Sequence, residues 1–157
     1  MTLQEEIKIA KSMFLTDSYP MSVGELLFLY ADKQLSLSNG QRYSCSQQND
    51  LIESIFLDLP TQPIVVKQLS SGKWRILSGG WMLVAILNFL EKNEKDKLVL
   101  RATDLLASLY GLTWDNLSDR EKFQFKRFQF VVHILAENTE NTFCKDKVDS
   151  IFRRYSS

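Results

Sequence analysis

The chain has 157 residues, of which 45% are apolar and 24% charged, and its formal net charge is zero. This composition is typical of a globular domain with a hydrophobic core and argues against a strongly basic nucleic-acid-binding protein. No run of about 18 apolar residues is present, so we expect no membrane-spanning helix. The first ten residues do not form a secretory signal, and two distant cysteines do not make a disulfide framework. We therefore expect an intracellular, cytoplasmic protein.

Two short helices are predicted near the N-terminus. Apolar residues spaced three and four apart predict a helix from Leu3 to Phe14, an extra element within residues 1–18. The run Ser18-Tyr-Pro is expected to end it. Ser22 then has the character of an N-cap, because Glu25 follows three residues later as the partner of a capping box. A helix from Val23 to Tyr30 follows from this pattern, with Leu26, Leu27 and Tyr30 facing inward.

A short strand and a longer helix come next. Leu35 to Leu37 is predicted as a strand that ends at the Asn39-Gly40 turn. Ser46 is expected to cap a helix from Gln47 to Leu57, whose apolar residues form one stripe. The run Asp58-Leu-Pro ends this helix, since the residue before a proline avoids the helical region.

The central stretch predicts a β-hairpin that leads into a helix. Two runs rich in β-branched and aromatic residues, 63–68 and 73–77, flank a turn that contains Gly72. Ser78-Gly79-Gly80 then opens a helix from Trp81 to Leu90. The start of a helix presents backbone N–H groups that can bind an anion. The glycine pair can serve such a site or simply supply the tight turn, and the residues alone favour the turn.

The C-terminal half predicts further helices and strands around one capping box, formed by Ser118 and Glu121. The expected elements are strands at 98–100 and 128–135, and helices at 103–109, 118–126 and 139–154. No linker or repeat divides the sequence. We therefore predict one domain of the α+β class over residues 1–157, with a small mixed sheet and packed helices.

Two other candidate sites are weaker. His133 is the only histidine, and neither cysteine has a ligand partner at short spacing, so no metal site is predicted. Lysines and an arginine alternate with phenylalanines between residues 122 and 128, as in surfaces that bind single-stranded nucleic acid. A helix with buried phenylalanines and solvated cations has the same pattern, and the zero net charge favours that reading. We expect weak or no DNA binding by this domain alone.

Several segments together resemble one known family. They are Ser22-Val-Gly-Glu-Leu-Leu, Gln41-Arg42-Tyr43, Leu51-Ile-Glu-Ser-Ile-Phe-Leu-Asp-Leu-Pro, the hairpin before Gly79, and Ile151-Phe-Arg-Arg. The chain resembles, from about Tyr19 to Ser157, the N-terminal domain family of the GmrSD restriction endonucleases. The resemblance implies a ParB/sulfiredoxin-like fold. In active relatives it also implies nucleotide binding and hydrolysis, coupled to cleavage of modified phage DNA.

The central motif of that family is changed in this chain. The family has Asp-Gly-Gln-Gln-Arg where this sequence has Ser78-Gly79-Gly80-Trp81-Met82, so the carboxylate, both amides and the arginine are missing. An asparagine expected after the terminal arginine element is missing too, with Ser156 near that place. A carboxylate can orient a metal or a water, and an arginine can stabilise phosphate charge. The resemblance therefore implies a domain without the usual phosphoryl chemistry.

The resemblance also implies a remnant ligand pocket. Its expected anion-binding residues are Gln41, Arg42, Ser78, Gly79, Gly80 and Arg154, with no catalytic residue and no metal ligand among them. The first hypothesis is a degenerate, non-catalytic module of a phage-defence system that binds a nucleotide or a protein partner. The alternatives are an active nucleoside triphosphatase or nuclease with substituted residues, and a structural or regulatory subunit without a ligand pocket.

Overall fold

A computed structural model describes residues 1–37, 44–91, 93, 97–138 and 145–155, with the side chains of 145–148 outside that description. The described residues form six α-helices and five strands. In chain order they are α1 Leu3–Lys11, β1 Phe14–Ser22, α2 Val23–Ala31, β2 Leu35–Leu37, α3 Cys45–Phe56, β3 Ile64–Gln68, β4 Trp74–Ser78, α4 Gly80–Leu90, α5 Asp119–Arg127, β5 Gln129–Glu137 and α6 Lys145–Arg154.

The strands form one mixed sheet in the order β1-β5-β3-β4-β2. The β1–β5 and β3–β4 pairs are antiparallel, whereas β3–β5 and β2–β4 are parallel. The predicted β3–β4 hairpin is therefore confirmed, with Gly72 at φ +88° in its turn and an irregularity between Val65 and Val66. The α+β class with a small mixed sheet and packed helices is confirmed as well.

The main core lies against one face of this sheet. Helices α2 to α5 bury their apolar residues there, together with Ile64, Val66 and Ile76 of the hairpin. Rings of α3, α4 and α5 form an aromatic cluster in which Phe125 lies 5.5 Å from both Phe56 and Phe89. Helix α6 belongs to a second, smaller apolar cluster, where Phe152 packs with Leu77. The hairpin is thus held through both clusters.

Two predicted helix caps are confirmed, and one is wrong by two residues. The Ser22 and Ser118 hydroxyls accept hydrogen bonds from the backbone N–H groups of Glu25 and Glu121, each at 3.1 Å. Helix α3, however, is capped by Ser44 and not by Ser46. Gln47 closes the box with Ser44 because its side-chain oxygen accepts from the Ser44 N–H at 3.1 Å. The predicted helix 47–57 accordingly begins at Cys45 and ends at Phe56.

The N-terminal prediction is wrong in one respect. The first helix ends at Lys11, and the chain then forms the nine-residue edge strand β1, which contains Pro20. The Val23 N–H donates to the Phe128 carbonyl, so odd-numbered residues of β1 direct their backbone groups at β5. The missing N–H of Pro20 therefore falls on the open edge, where it removes no sheet hydrogen bond. Tyr30 is exposed, although α2 buries Leu26 as expected.

The segment between α4 and α5 is more irregular than predicted. Residues 98–100 form no strand, and the expected helix at 103–109 is reduced to a 3-10 turn at Ala107–Leu109. The Leu100 N–H donates to the Leu112 carbonyl, while the Gly111 N–H donates to the Leu100 carbonyl. These long-range pairs hold the segment as a closed loop in which Leu98, Leu100 and Leu109 are buried.

The last three elements match their predictions closely. Strand β5 begins one residue later and ends two residues later than expected, and α5 extends to Arg127. Helix α6 begins at Lys145, and the first part of the predicted helix, 139–144, lies outside the described residues. Within the described ranges, no helix is long and apolar enough to cross a lipid bilayer.

Candidate functional site

The candidate site is the strand–turn–helix at the end of the hairpin. Strand β4 ends at Ser78, Gly79 occupies the N-cap with φ +83°, and α4 begins at Gly80. A Cβ on Gly79 would lie 3.1 Å from the Pro63 carbonyl oxygen and 3.3 Å from the Ile64 Cα. Both the left-handed backbone and this close approach to β3 therefore require glycine here. The tight turn accounts for Gly79 without any ligand.

The backbone requires glycine less strictly at position 80 than at position 79. A Cβ at this position would lie 3.4 Å from Ile76 Cγ2 and 3.4 Å from Leu37 Cδ2, and its φ is not positive. These are ordinary van der Waals contacts, so the fold tolerates a methyl group at this position. The second glycine of the pair is consequently not explained by the turn alone.

The first turn of α4 differs from those of α2, α3 and α5. Gly79 has no side chain, so α4 lacks the hydroxyl acceptor that Ser22, Ser44 and Ser118 give to their helices. An anion can take the place of such an acceptor, because the N-terminal N–H groups and the helix dipole both favour negative charge. Ser78 and Gly80 are each half-buried beside this turn.

The residues on either side of the glycine pair are buried or uncharged. Met82 is fully buried in the main core, and a Cβ on Gly79 would lie 3.1 Å from its Cε. Trp81 is half-buried and packs against the same core. Ser78 carries no charge. The described start of α4 therefore holds no ionisable side chain with which to orient a metal or to stabilise a phosphate.

Two predicted site residues cannot be placed. Gln41 and Arg42 lie outside the described residues, so their expected clustering with Gly79 and Gly80 stays a prediction. Leu37, which contacts the Gly80 position, is the last described residue before them. Arg154 is exposed in the last turn of α6, and its side chain makes no hydrogen bond or ion pair with any described residue. Two residues before it, Phe152 packs with Leu77, the neighbour of Ser78.

The aromatic residues of α5 and its C-cap differ in their exposure to solvent. Phe125 and Phe128 are buried, whereas Phe123 is 62% exposed with the Arg127 guanidinium 5.5 Å from its ring centre. The ammonium groups of Lys122 and Lys126 lie 5.8 and 5.7 Å from the ring centre of Trp114. The alternating pattern therefore comes mainly from a helix that buries its phenylalanines and leaves its cations in solvent. Phe123 is the exception, because its ring is exposed.

Metal-binding groups are not clustered. Among the described residues, no three histidine, cysteine or acidic side chains could share a metal ion. His133 is half-buried on β5, opposite Ser18 of β1.

We compared the chain with protein families, curated proteins and solved structures. No family model, curated protein or solved structure matches this chain.

The structure also brings together polar residues that the sequence did not single out. Asn49 is buried in α3, and its side chain accepts from the Arg101 N–H at 2.8 Å and donates to the Arg101 carbonyl at 3.2 Å. This pair anchors the 97–113 loop to α3. One turn further along α3, Glu53 has a buried Oε2 atom with no hydrogen-bond partner among the described residues. Both residues line a shallow polar cleft with Arg101.

A second such group lies on the edge strand. The Tyr19 hydroxyl donates to Asp17 Oδ2 at 2.6 Å, and the Ser18 N–H donates to Asp17 Oδ1 at 2.8 Å. The hydrogen bond from Tyr19, followed by that from the Ser18 backbone, lowers the pKa of Asp17. The same bond to Asp17 raises the pKa of Tyr19. An Asp-x-Tyr pair places both side chains on one face of a strand, but this signal is visible only once β1 is known to be a strand.

Proposed function

We propose that this chain is a non-catalytic module that binds a nucleotide or a protein partner, and that it is a degenerate relative of the nucleotide-binding domain of modification-dependent restriction endonucleases. On this proposal its sheet belongs to the ParB/sulfiredoxin-like class, and its biological setting is phage defence. The support for kinship is the set of resembling segments, together with a hairpin that leads through Gly79 into α4 as the resemblance implies.

One observation carries the non-catalytic part of the proposal. At the position of the family's central motif, Met82 is fully buried and Ser78 is neutral, so neither can face a phosphate with a charge. Phosphoryl transfer depends on positioning and on charge stabilisation by metal-bound carboxylates and cationic groups. Removing one donor that stabilises a transition state costs about 10²–10³ in rate, and several such groups are replaced here.

The binding part of the proposal rests on the start of α4. Gly79 gives this helix no side-chain cap, so the N–H groups of its first turn lack a hydroxyl acceptor. This feature favours an anionic ligand at the first turn. A nucleotide phosphate is the ligand that the resemblance implies, with Gln41 and Arg42 as its expected further contacts.

Isothermal titration with a panel of nucleoside di- and triphosphates tests this proposal. We expect saturable binding that weakens in Arg42→Ala and in Arg154→Ala, because each change removes one cation of the expected anion pocket. Asp104→Asn, at an exposed site on the 97–113 loop, is the matched control. An affinity that is unchanged in both site variants would show that the nucleotide does not bind at the start of α4.

A further inference from the structure

A second cleft, of about 410 Å³, opens on the core-side face of the sheet at the end of β4 that lies away from Ser78. Its floor crosses the sheet from Asp17 and Tyr19 on β1, over Ile134 on β5, to Gln68 and Trp74. The end of α2 forms the opposite wall. A cleft of this size with an apolar floor and a few polar groups is typical of a binding site for a small group.

The cleft is negatively charged at one end. Asp17 is the only charged side chain among the described residues that line it, and it forms no ion pair with any of them. Its two oxygens accept from the Tyr19 hydroxyl and the Ser18 N–H, which fixes the carboxylate in place and leaves further lone pairs free. The Tyr19 oxygen has donated its hydrogen, so it can only accept from a ligand. This end of the cleft therefore favours a ligand with several donors and a positive charge.

The length of the cleft restricts the ligand further. Strands β1 and β4 are separated by β5 and β3, so Asp17 and Trp74 lie three strand spacings apart, about 14 Å between backbones. The floor between them is apolar, formed by Ile134 with Leu29 of α2 above it. An elongated ligand with a cationic head and an apolar stem fits this arrangement, whereas a phosphate-bearing ligand meets no cation here.

We propose that this cleft binds an arginine side chain presented by a partner protein, with the guanidinium group at Asp17 and the aliphatic stem lying over Ile134 toward Trp74. A planar guanidinium offers five donors in a fixed fork, which matches the adjacent acceptors of Asp17 and Tyr19 better than a single ammonium does. The Gln34 and Gln68 amides at the Trp74 end can bond the backbone of the bound segment. This site is independent of the proposed nucleotide site, which lies at the other end of β4.

Backbone-amide NMR titration with three capped tripeptides tests this assignment. The peptides are glycine-arginine-glycine, the same peptide with lysine, and the same peptide with citrulline, which keeps the shape of arginine but carries no charge. We expect the arginine peptide to shift the resonances of Gly72, Tyr19 and the Trp74 indole. The citrulline peptide should bind at least about tenfold more weakly, because hydrogen bonds to a charged group contribute more than neutral ones.

Variants of the full chain give the decisive comparison. Asp17→Asn should weaken the arginine peptide by about tenfold or more, and Tyr19→Phe by a smaller factor, since the first removes the charge and the second one acceptor. Asp104→Asn, an exposed carboxylate outside the cleft, should leave the affinity unchanged. Equal binding of citrulline or lysine, unchanged affinity in Asp17→Asn, or shifts confined to residues outside the cleft would overturn the proposal. If Asp17→Asn disturbs β1, the citrulline peptide and Tyr19→Phe still decide the outcome.

Discussion

The two adjacent glycines at the start of α4 should respond very differently to the same substitution. Alanine at position 79 must adopt φ near +83° and places its Cβ 3.1 Å from the Pro63 carbonyl oxygen. A non-glycine residue in this backbone region costs about 1–3 kcal/mol, and a clash with backbone adds about 1–3 kcal/mol more. We therefore expect Gly79→Ala to lower the free energy of unfolding by roughly 2–6 kcal/mol.

Gly80→Ala is the matched control for that prediction. Its new methyl group meets Ile76 and Leu37 at ordinary contact distance, and alanine is a better helix former than glycine. We expect its free energy of unfolding to stay within about 1 kcal/mol of the parent chain, with any gain coming from the reduced freedom of the unfolded state. Urea unfolding followed by circular dichroism measures both variants. A difference of less than about 0.5 kcal/mol between them would refute the assigned roles of the two glycines.

Three further predictions concern the caps, the edge strand and the charge of the domain. Ser44→Ala should lower the free energy of unfolding, measured in urea, by about 1 kcal/mol, and Ser46→Ala should lower it by less than about 0.5 kcal/mol, because only Ser44 caps α3. A larger loss in Ser46→Ala than in Ser44→Ala would show that Ser46 is the cap. Tyr19→Phe should raise the pKa of Asp17 toward its ordinary value in a carbon-detected NMR titration, because it removes the largest cause of the lowered pKa. Because the pKa of Asp17 is lower in the folded chain than in the unfolded chain, its carboxylate stabilises the fold at pH values above the unfolded pKa. This contribution is lost as the pH falls through the lower folded pKa. An Asp17 pKa that is the same in Tyr19→Phe as in the parent chain would contradict the hydrogen bond. Binding to arbitrary duplex DNA should be weak in a mobility-shift titration, because a net charge of zero leaves few cations to neutralise phosphates, and tight, salt-sensitive binding would contradict this.

Local signals in the sequence predicted the centre of the fold well. The hairpin, the glycine turn and α4 depend on β-branched runs, a Gly-containing turn and a helical apolar stripe, all of which act over short distances. The caps at Ser22 and Ser118 were predicted for the same reason. The cap of α3 was predicted at Ser46, although Ser44 with Gln47 three residues later is also a capping-box pattern and lies in the same short stretch of sequence.

The edge strand and its cleft could not be predicted from local pattern. Strand β1 is exposed along most of its length, so it lacks the alternation of apolar and polar residues that identifies a half-buried strand. Its pairing with β5 joins residues that are more than a hundred positions apart. The cleft combines side chains from β1, β3, β4 and β5, and no sequence spacing relates Asp17 to Trp74.

The central proposal is a non-catalytic binding module with a nucleotide as its first candidate ligand. Phosphorus NMR of a nucleoside triphosphate tests nucleotide binding and the absence of hydrolysis in one sample. With the protein and magnesium present, we predict shifted or broadened phosphate resonances and no growing signal of inorganic phosphate. Phosphate resonances that do not change when the protein is added would show that the chain does not bind the nucleotide. Inorganic phosphate that accumulates with the repurified chain and disappears with Arg42→Ala would contradict the proposal, because phosphoryl chemistry would then proceed without a carboxylate or an arginine at positions 78–82.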